Sequence, residues 1–214
     1  SMELADLTLT IDTENKPQLA TGAAKFSWRG QTTAEILLKA RWIDVDRIIG
    51  SGATTTSTAT LGRIVAGLGD ALPDTDQLSA LVLLDQATLN GDVISGLKAE
   101  IQKGREGFEV RELSGNLPGS ARLVLSGRLI PGGADTRFDG PVTLRGASFN
   151  RFVAWAGRGL QPPEISQDGP FALDTQLSVG PTRIAGQEIR LELPGGRLGG
   201  DASWTWPGSV QSGT

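Results

Sequence analysis

The sequence predicts a mainly β protein: a repeated antiparallel meander forming a curled sheet or groove, with a short helix after each unit. Three observations carry this. A pattern GxAxφxφxG, with φ a large apolar residue, occurs three times, as Gly22, Ala24, Phe26, Trp28, Gly30, then Gly119, Ala121, Leu123, Leu125, Gly127, then Gly200, Ala202, Trp204, Trp206, Gly208. Period-two alternation between glycines describes one face of a short strand bounded by turns. Its return after about 80 to 100 residues marks repeated strand units and an extended surface rather than a compact enzyme. The remaining observations are alternating segments joined by short polar links, which favour antiparallel neighbours, and 29 Gly, which favour many tight turns.

The first unit, residues 3–76, opens with the alternation Leu7, Leu9, Ile11, turns at Asn15-Lys16-Pro17, and runs through the first motif to Ala34–Ala40. Arg41-Trp42-Ile43-Asp44-Val45-Asp46-Arg47 follows, with Asp46 placed to cap a helix. Ser51 to Thr60 contains only Ser, Thr, Ala and Gly and reads as a mobile loop. Leu61, Ile64, Val65, Leu68 and Leu72 fall at helical spacing, predicting an amphipathic helix over about Ser57 to Leu72 that Pro73 ends.

The second unit, residues 77–165, reads as a meander of about six strands: Leu81–Leu84, Ala87–Gly91, Val93–Ile101, Phe108–Leu113, the second motif, and Phe138–Gly146. A short helix is expected around Phe149, Phe152, Val153 and Ala156, with Asn150 in the capping place that Asp46 holds in the first unit. Gln161-Pro162-Pro163-Glu164 reads as a linker. A partial third unit, 166–214, has strands over Phe171–Val179 and Ile189–Leu193 before the last motif. The three units read as one continuous repeat domain.

Composition removes most catalytic classes. With no His and no Cys, histidine triads, cysteine–histidine dyads, imidazole or thiolate zinc sites and disulfides are excluded. A net charge of −4 argues against nucleic acid, which needs a concentrated basic stripe. No apolar run is long enough to span a bilayer. Ser1-Met2 reads as a remnant of tag removal, so the chain is taken as a segment of a longer protein whose anchor or export signal would lie outside it.

Few residues invite chemistry. Asp44 and Asp46 would share a strand face, near enough for a hard cation, but calcium needs six or more oxygens and no DxDxDG loop exists, which favours a cap and a solvated acid. Gly195 to Gly200 follows Leu-Pro and precedes neither Lys-Ser/Thr nor a helix-forming run, so it is a turn, not a phosphate loop. Arg41, Arg47, Arg145 and Arg151 lie near unit ends, where they could meet lipid phosphates or serve as rim residues. No metal, cofactor or catalytic residue is assigned. The candidate surface is the motif face: Phe26, Trp28, Leu123, Leu125, Trp204 and Trp206. Trp28, Trp204 and Trp206 could stack on sugars, but Leu123 and Leu125 could not, and this favours a buried or lipid-facing surface.

The order of pieces resembles the AsmA-like family of bacterial envelope proteins, the AsmA and TamB group. The resemblance rests on Ala40-Arg41-Trp42-Ile43-Asp44-Val45-Asp46-Arg47, on Gly107 to Leu113 running into Leu117-Pro118-Gly119-Ser120-Ala121, on Gly127-Arg128-Leu129, and on Phe138-Asp139-Gly140-Pro141-Val142 leading to Phe149. It covers about Leu4 to Trp206. It implies a periplasmic protein tethered to the inner membrane, with an apolar groove that moves phospholipid toward the outer membrane or serves outer-membrane assembly. It also implies an acyl-chain ligand, envelope-protein partners and no catalytic residues. Two other readings stay open: a structural or protein-interaction module with a closed core, and a carbohydrate-binding β protein.

Overall fold

A computed structural model describes residues 1–13, 16–48, 60, 62–65, 67, 72–73, 75–132, 135–158 and 168–206. Eleven strands form one sheet in sequence order: β1 (Met2–Thr13), β2 (Lys16–Ser27), β3 (Thr33–Asp44), β4 (Gln77–Leu89), β5 (Asp92–Gly104), β6 (Gly107–Leu117), β7 (Ala121–Ile130), β8 (Arg137–Gly146), β9 (Phe171–Val179), β10 (Arg183–Leu193) and β11 (Gly196–Thr205). The sheet is open, with β1 and β11 as its edges. All neighbours are antiparallel except β3 and β4, which run parallel. A parallel pair needs a crossover, here residues 45–76. The described residues 60, 62–65 and 67 within it are helical, α1 (Val45–Ile48) lies at its start, and α2 (Phe149–Ala156) joins β8 to β9.

Several expectations are corrected. The second unit has five strands, because Leu81–Leu84 and Ala87–Leu89 form one strand, β4. Asp85-Gln86 reads as a break because the alternation slips there: Leu84 and Ala87 pack in one cluster, as do Leu97 and Ile94 on β5, where Gly96 has φ +60°. Gly22, Gly127 and Gly200 lie inside β2, β7 and β11 rather than at turns. A Cβ on Gly22 would stand 1.9 Å from the Leu37 carbonyl oxygen, so close backbone approach requires this glycine. Thr60, where the loop and helix expectations overlap, is helical and buried, in line with the helix and not the loop. The rest of the 51–60 stretch, much of the 57–72 helix and the 161–164 linker fall outside the described residues.

Both helix caps sit two residues earlier than expected. Asp44 Oδ1 accepts the Arg47 N–H at 3.1 Å, and Ser148 Oγ accepts the Arg151 N–H at 3.2 Å. The correspondence between the two segments survives the correction, since each reads cap, apolar, Asp or Asn, Arg.

The strand preceding each motif strand bulges by one residue: between Leu4 and Leu7 in β1, Val110 and Leu113 in β6, and Gly186 and Ile189 in β10. Asp6 and Glu188 occupy equivalent bulge positions with φ of 56° and 51°. In the first and third hairpins the bulge faces the Gly and Ala of the motif, Gly22/Ala24 and Gly200/Ala202; in the second it faces Leu125 and Gly127.

The core lies on one face, in rows fixed by register. A row at one end of the strands runs Phe108, Leu129, Phe138, Val179, Ile184, Trp204. Phe108, Leu129, Phe138 and Val179 are buried, and Val65 and Leu72 of the crossover pack against the cluster that holds the first three. At the other end Ala121, Leu144 and Phe171 are buried beside Phe149 and Phe152 of α2. Each fully buried side chain of this size contributes about 1.5–3 kcal/mol.

Candidate functional site

The six motif-face residues share one side of the sheet or its continuation at strand ends. Phe26 sits between Met2 and Ala34. Leu125 belongs to a central row running Leu7, Gly22, Leu38, Val82, Ala99, Leu113, Leu125, Val142, Thr175, from β1 to β9. Leu123 begins a leucine ladder through Leu144, Leu173, Leu191 and Leu198 to β11. Phe26 and Leu125 pack against the same buried cluster, and Leu123 against another.

The tryptophans differ. Trp204 is 53% exposed and Trp28, just past the end of β2, is 57% exposed. Trp206 is half-buried beside Gly62 of the crossover. Identical positions in a repeated pattern thus lie in a core, on a rim and against a helical segment, because neighbours rather than period decide burial.

Most of the central row is half-buried, between the crossover at one end of the strands and α2 at the other. A shallow concavity of about 570 Å³ at the β5–β6 turn and the facing part of β7 involves none of the six residues.

The opposite face is mixed: Leu37, Leu81, Leu83 and Val124 lie on it beside a set of ion pairs. Lys98 Nζ meets Glu112 at 2.6 Å, and Arg145 meets Asp174 at 2.6 Å while Thr143 Oγ1 donates to the same carboxylate. The Lys98 ammonium and the Ser114 hydroxyl hold the Glu112 carboxyl below its ordinary range, and Arg145 does the same for Asp174. Of the arginines considered for phosphate contacts, Arg47 pairs with Asp44, Arg145 with Asp174 and Arg151 with Asp92, so each of these three meets a carboxylate.

Asp44 and Asp46 do not form a cation pair. Asp44 ends β3 and caps α1, while the Asp46 carboxylate accepts the Asn90 and Gly91 N–H groups, both at 2.7 Å. Among the described residues no group of three or more acids is placed to hold a metal.

The Asn90-Gly91 turn is a junction that the sequence reading missed. Both residues have positive φ, 55° and 70°, as a two-residue type I′ hairpin requires. Beyond its bonds to Asp46, Asn90 Nδ2 donates to the Trp155 carbonyl, Trp155 Nε1 donates to the Leu89 carbonyl at 2.9 Å, and Arg151 reaches Asp92. The Asn-Gly pair was the available signal; nothing local to it names its distant partners.

The α2 N-terminus carries a testable acid sensitivity. Asp168 accepts the Ser148 hydroxyl at 2.6 Å and the Asn150 N–H at 3.0 Å, and these bonds, the hydroxyl first, lower its pKa. A carboxyl depressed in the fold adds stability above its unfolded pKa, and that contribution fades as pH falls through the folded value. Below about pH 4 the first turn of α2 should therefore exchange its amides faster, after correction for intrinsic rates. Asp168→Asn should flatten this response; an unchanged profile would refute the assignment.

Fold and site together define an open, mostly antiparallel β-sheet protein with a continuous apolar row on one face and a mixed face that carries ion pairs. Comparison with protein-family models, curated proteins and solved structures finds no match to this chain. Among the described residues no helix is long and apolar enough to cross a membrane.

Proposed function

We propose that this chain is a non-enzymatic segment of an AsmA-like periplasmic protein, tethered to the inner membrane, that carries phospholipid acyl chains between membranes or serves outer-membrane assembly. The observation that carries the reading is the row of apolar and small residues from Leu7 to Val142, mostly half-buried and continuous across eight strands. An acyl chain gains roughly 0.8 kcal/mol per methylene buried against such a surface.

Support for a curled sheet comes from short bridges between distant strands. Phe171 on β9 reaches β4 through Phe152 and Trp155, with ring steps of 5.3 and 6.0 Å and the 2.9 Å bond to Leu89. In a flat sheet five strand spacings would separate them by about 24 Å. The crossover makes a second bridge, with Gly62 beside Trp206 and Pro181 and Leu72 on the cluster containing Ala34 and Leu78. The shared bulges and caps support repeated units, each ending in a helix.

Benzophenone placed at Val82, in the central row, should photo-cross-link phospholipid during growth, whereas the same group at Val124, exposed on the opposite face, should not. Native mass spectrometry should find phospholipid on the unmodified protein. Lack of adduct at Val82, with a lipid-free mass, would sink the proposal. That outcome would favour the closed-core module, which draws on the helical cover at both ends of the apolar face.

A further inference from the structure

We propose that Asn90 is a guarded deamidation site: α1 and α2 together hold the Asn90-Gly91 turn unreactive while they are docked, and once Asn90 has reacted the turn cannot take α2 back. Asn90-Gly91 is the only Asn-Gly pair in the sequence, and it forms the tip of the β4–β5 hairpin, with Asn90 half-buried and Gly91 exposed to water. A glycine after asparagine puts no side chain in the way of ring closure. In that reaction the Gly91 nitrogen gives up its proton and attacks Asn90 Cγ; the new C–N bond closes a five-membered imide, and the side-chain nitrogen leaves as ammonia. Water then opens the imide to aspartate or, by cleavage at the main-chain carbonyl, to isoaspartate.

Three features oppose the first step. With φ of 55° in a type I′ turn, Asn90 is left-handed, which sets its Cβ and the Gly91 nitrogen on opposite sides of the Cα–C bond, whereas ring closure must eclipse them. The Asp46 carboxylate of α1 accepts both N–H groups of the turn at 2.7 Å, which fixes that conformation and disfavours negative charge on the Gly91 nitrogen. The departing amide is itself held, because Asn90 Nδ2 donates to the Trp155 carbonyl near the end of α2. Ring closure therefore needs both α1 and α2 to let go. The product is then shut out. Isoaspartate adds a carbon to the main chain and no longer fits a two-residue turn. Either product also replaces the Nδ2 donor with an oxygen that faces the Trp155 carbonyl oxygen. Arg158, just past α2, lies over Gly91, where an added Cβ would stand 2.0 Å from its Nη1, and Arg151 pairs with Asp92, so a distorted turn disturbs these contacts as well. Deamidation thus acts as a one-way release of α2 from the sheet. This inference does not depend on the lipid reading.

Peptide mass spectrometry after incubation in mildly alkaline buffer tests this. Folded protein should convert Asn90 roughly tenfold or more slowly than the same protein in urea, since only the locally opened state reacts. Asp46→Ala, at a temperature where its strand amides stay protected, should raise the folded rate several-fold. Once Asn90 is converted, the amides of residues 149–156 should exchange faster than in fresh protein while those of β7 do not, and Asn90→Gly, which suits the turn but cannot cyclise, should show no such change with age. Equal rates in folded and unfolded protein, an Asp46→Ala rate no higher than that of the unsubstituted chain, or α2 exchange unchanged after conversion would overturn the proposal.

Discussion

Trp155→Ala should lower unfolding stability by about 3–5 kcal/mol, the range for deleting a large buried aromatic. Trp155 is 9% exposed, packs with Ala87 and Ile94, and lies 6.0 Å from the Phe152 ring. Its indole N–H is bonded to the Leu89 carbonyl, so truncation opens a cavity and leaves that carbonyl without this donor. Trp155→Phe separates the terms: it keeps most of the apolar contact and should cost about 1–3 kcal/mol. Trp204→Ala, on an exposed ring, should stay within about 1 kcal/mol. Urea denaturation of the three variants checks the order, and equal losses at Trp155 and Trp204 would contradict the packing described.

Gly119→Ala should cost about 2–4 kcal/mol, because strain and overpacking act together. Gly119 has φ +84°, and a Cβ there would lie 2.5 Å from the Ser148 carbonyl oxygen and 3.0 Å from the Phe152 nitrogen. Those are backbone atoms of the α2 entry, held because the Gly119 carbonyl accepts the Ala147 and Ser148 N–H groups. The substitution therefore pushes α2 off the β6–β7 turn. Gly195→Ala, in a turn with nothing within 4 Å of the added carbon and no left-handed φ, is the control and should be close to neutral. Thermal or urea unfolding tells them apart; similar stabilities would mean that the turn and helix are not in close contact.

Much of the architecture was legible from period two alone. Alternation in Leu7–Ile11, Phe108–Leu113 and the motif strands correctly identifies strands, because a one-residue slip would turn every apolar side chain to the wrong face. Direction is not encoded in that pattern, so the parallel meeting of β3 and β4 could not be read. Asp46 and Asn150 resemble caps, yet the caps are Asp44 and Ser148, because several oxygen-bearing residues cluster at each entry and only backbone geometry selects one. Face membership of Phe26, Leu123, Leu125 and Trp204 followed from spacing, whereas their exposure did not. Buried Gln18, whose Oε1 accepts the Asp44 N–H at 2.6 Å, shows the same limit: alternation puts it on the inner face, but its distant partner explains why an amide is tolerated there.

The parallel meeting of β3 and β4 also bears on how the sheet assembles. Most other strands close through short turns and β8 meets β9 across 25 residues at Gly146 and Phe171, but this pair brings together Thr33 and Gln77 or Asp44 and Thr88, each 44 residues apart. Loop closure over that length costs more entropy than any hairpin here and slows the search for contacts. The joining of the first three strands to the following eight therefore carries the largest loop-closure cost in the sheet.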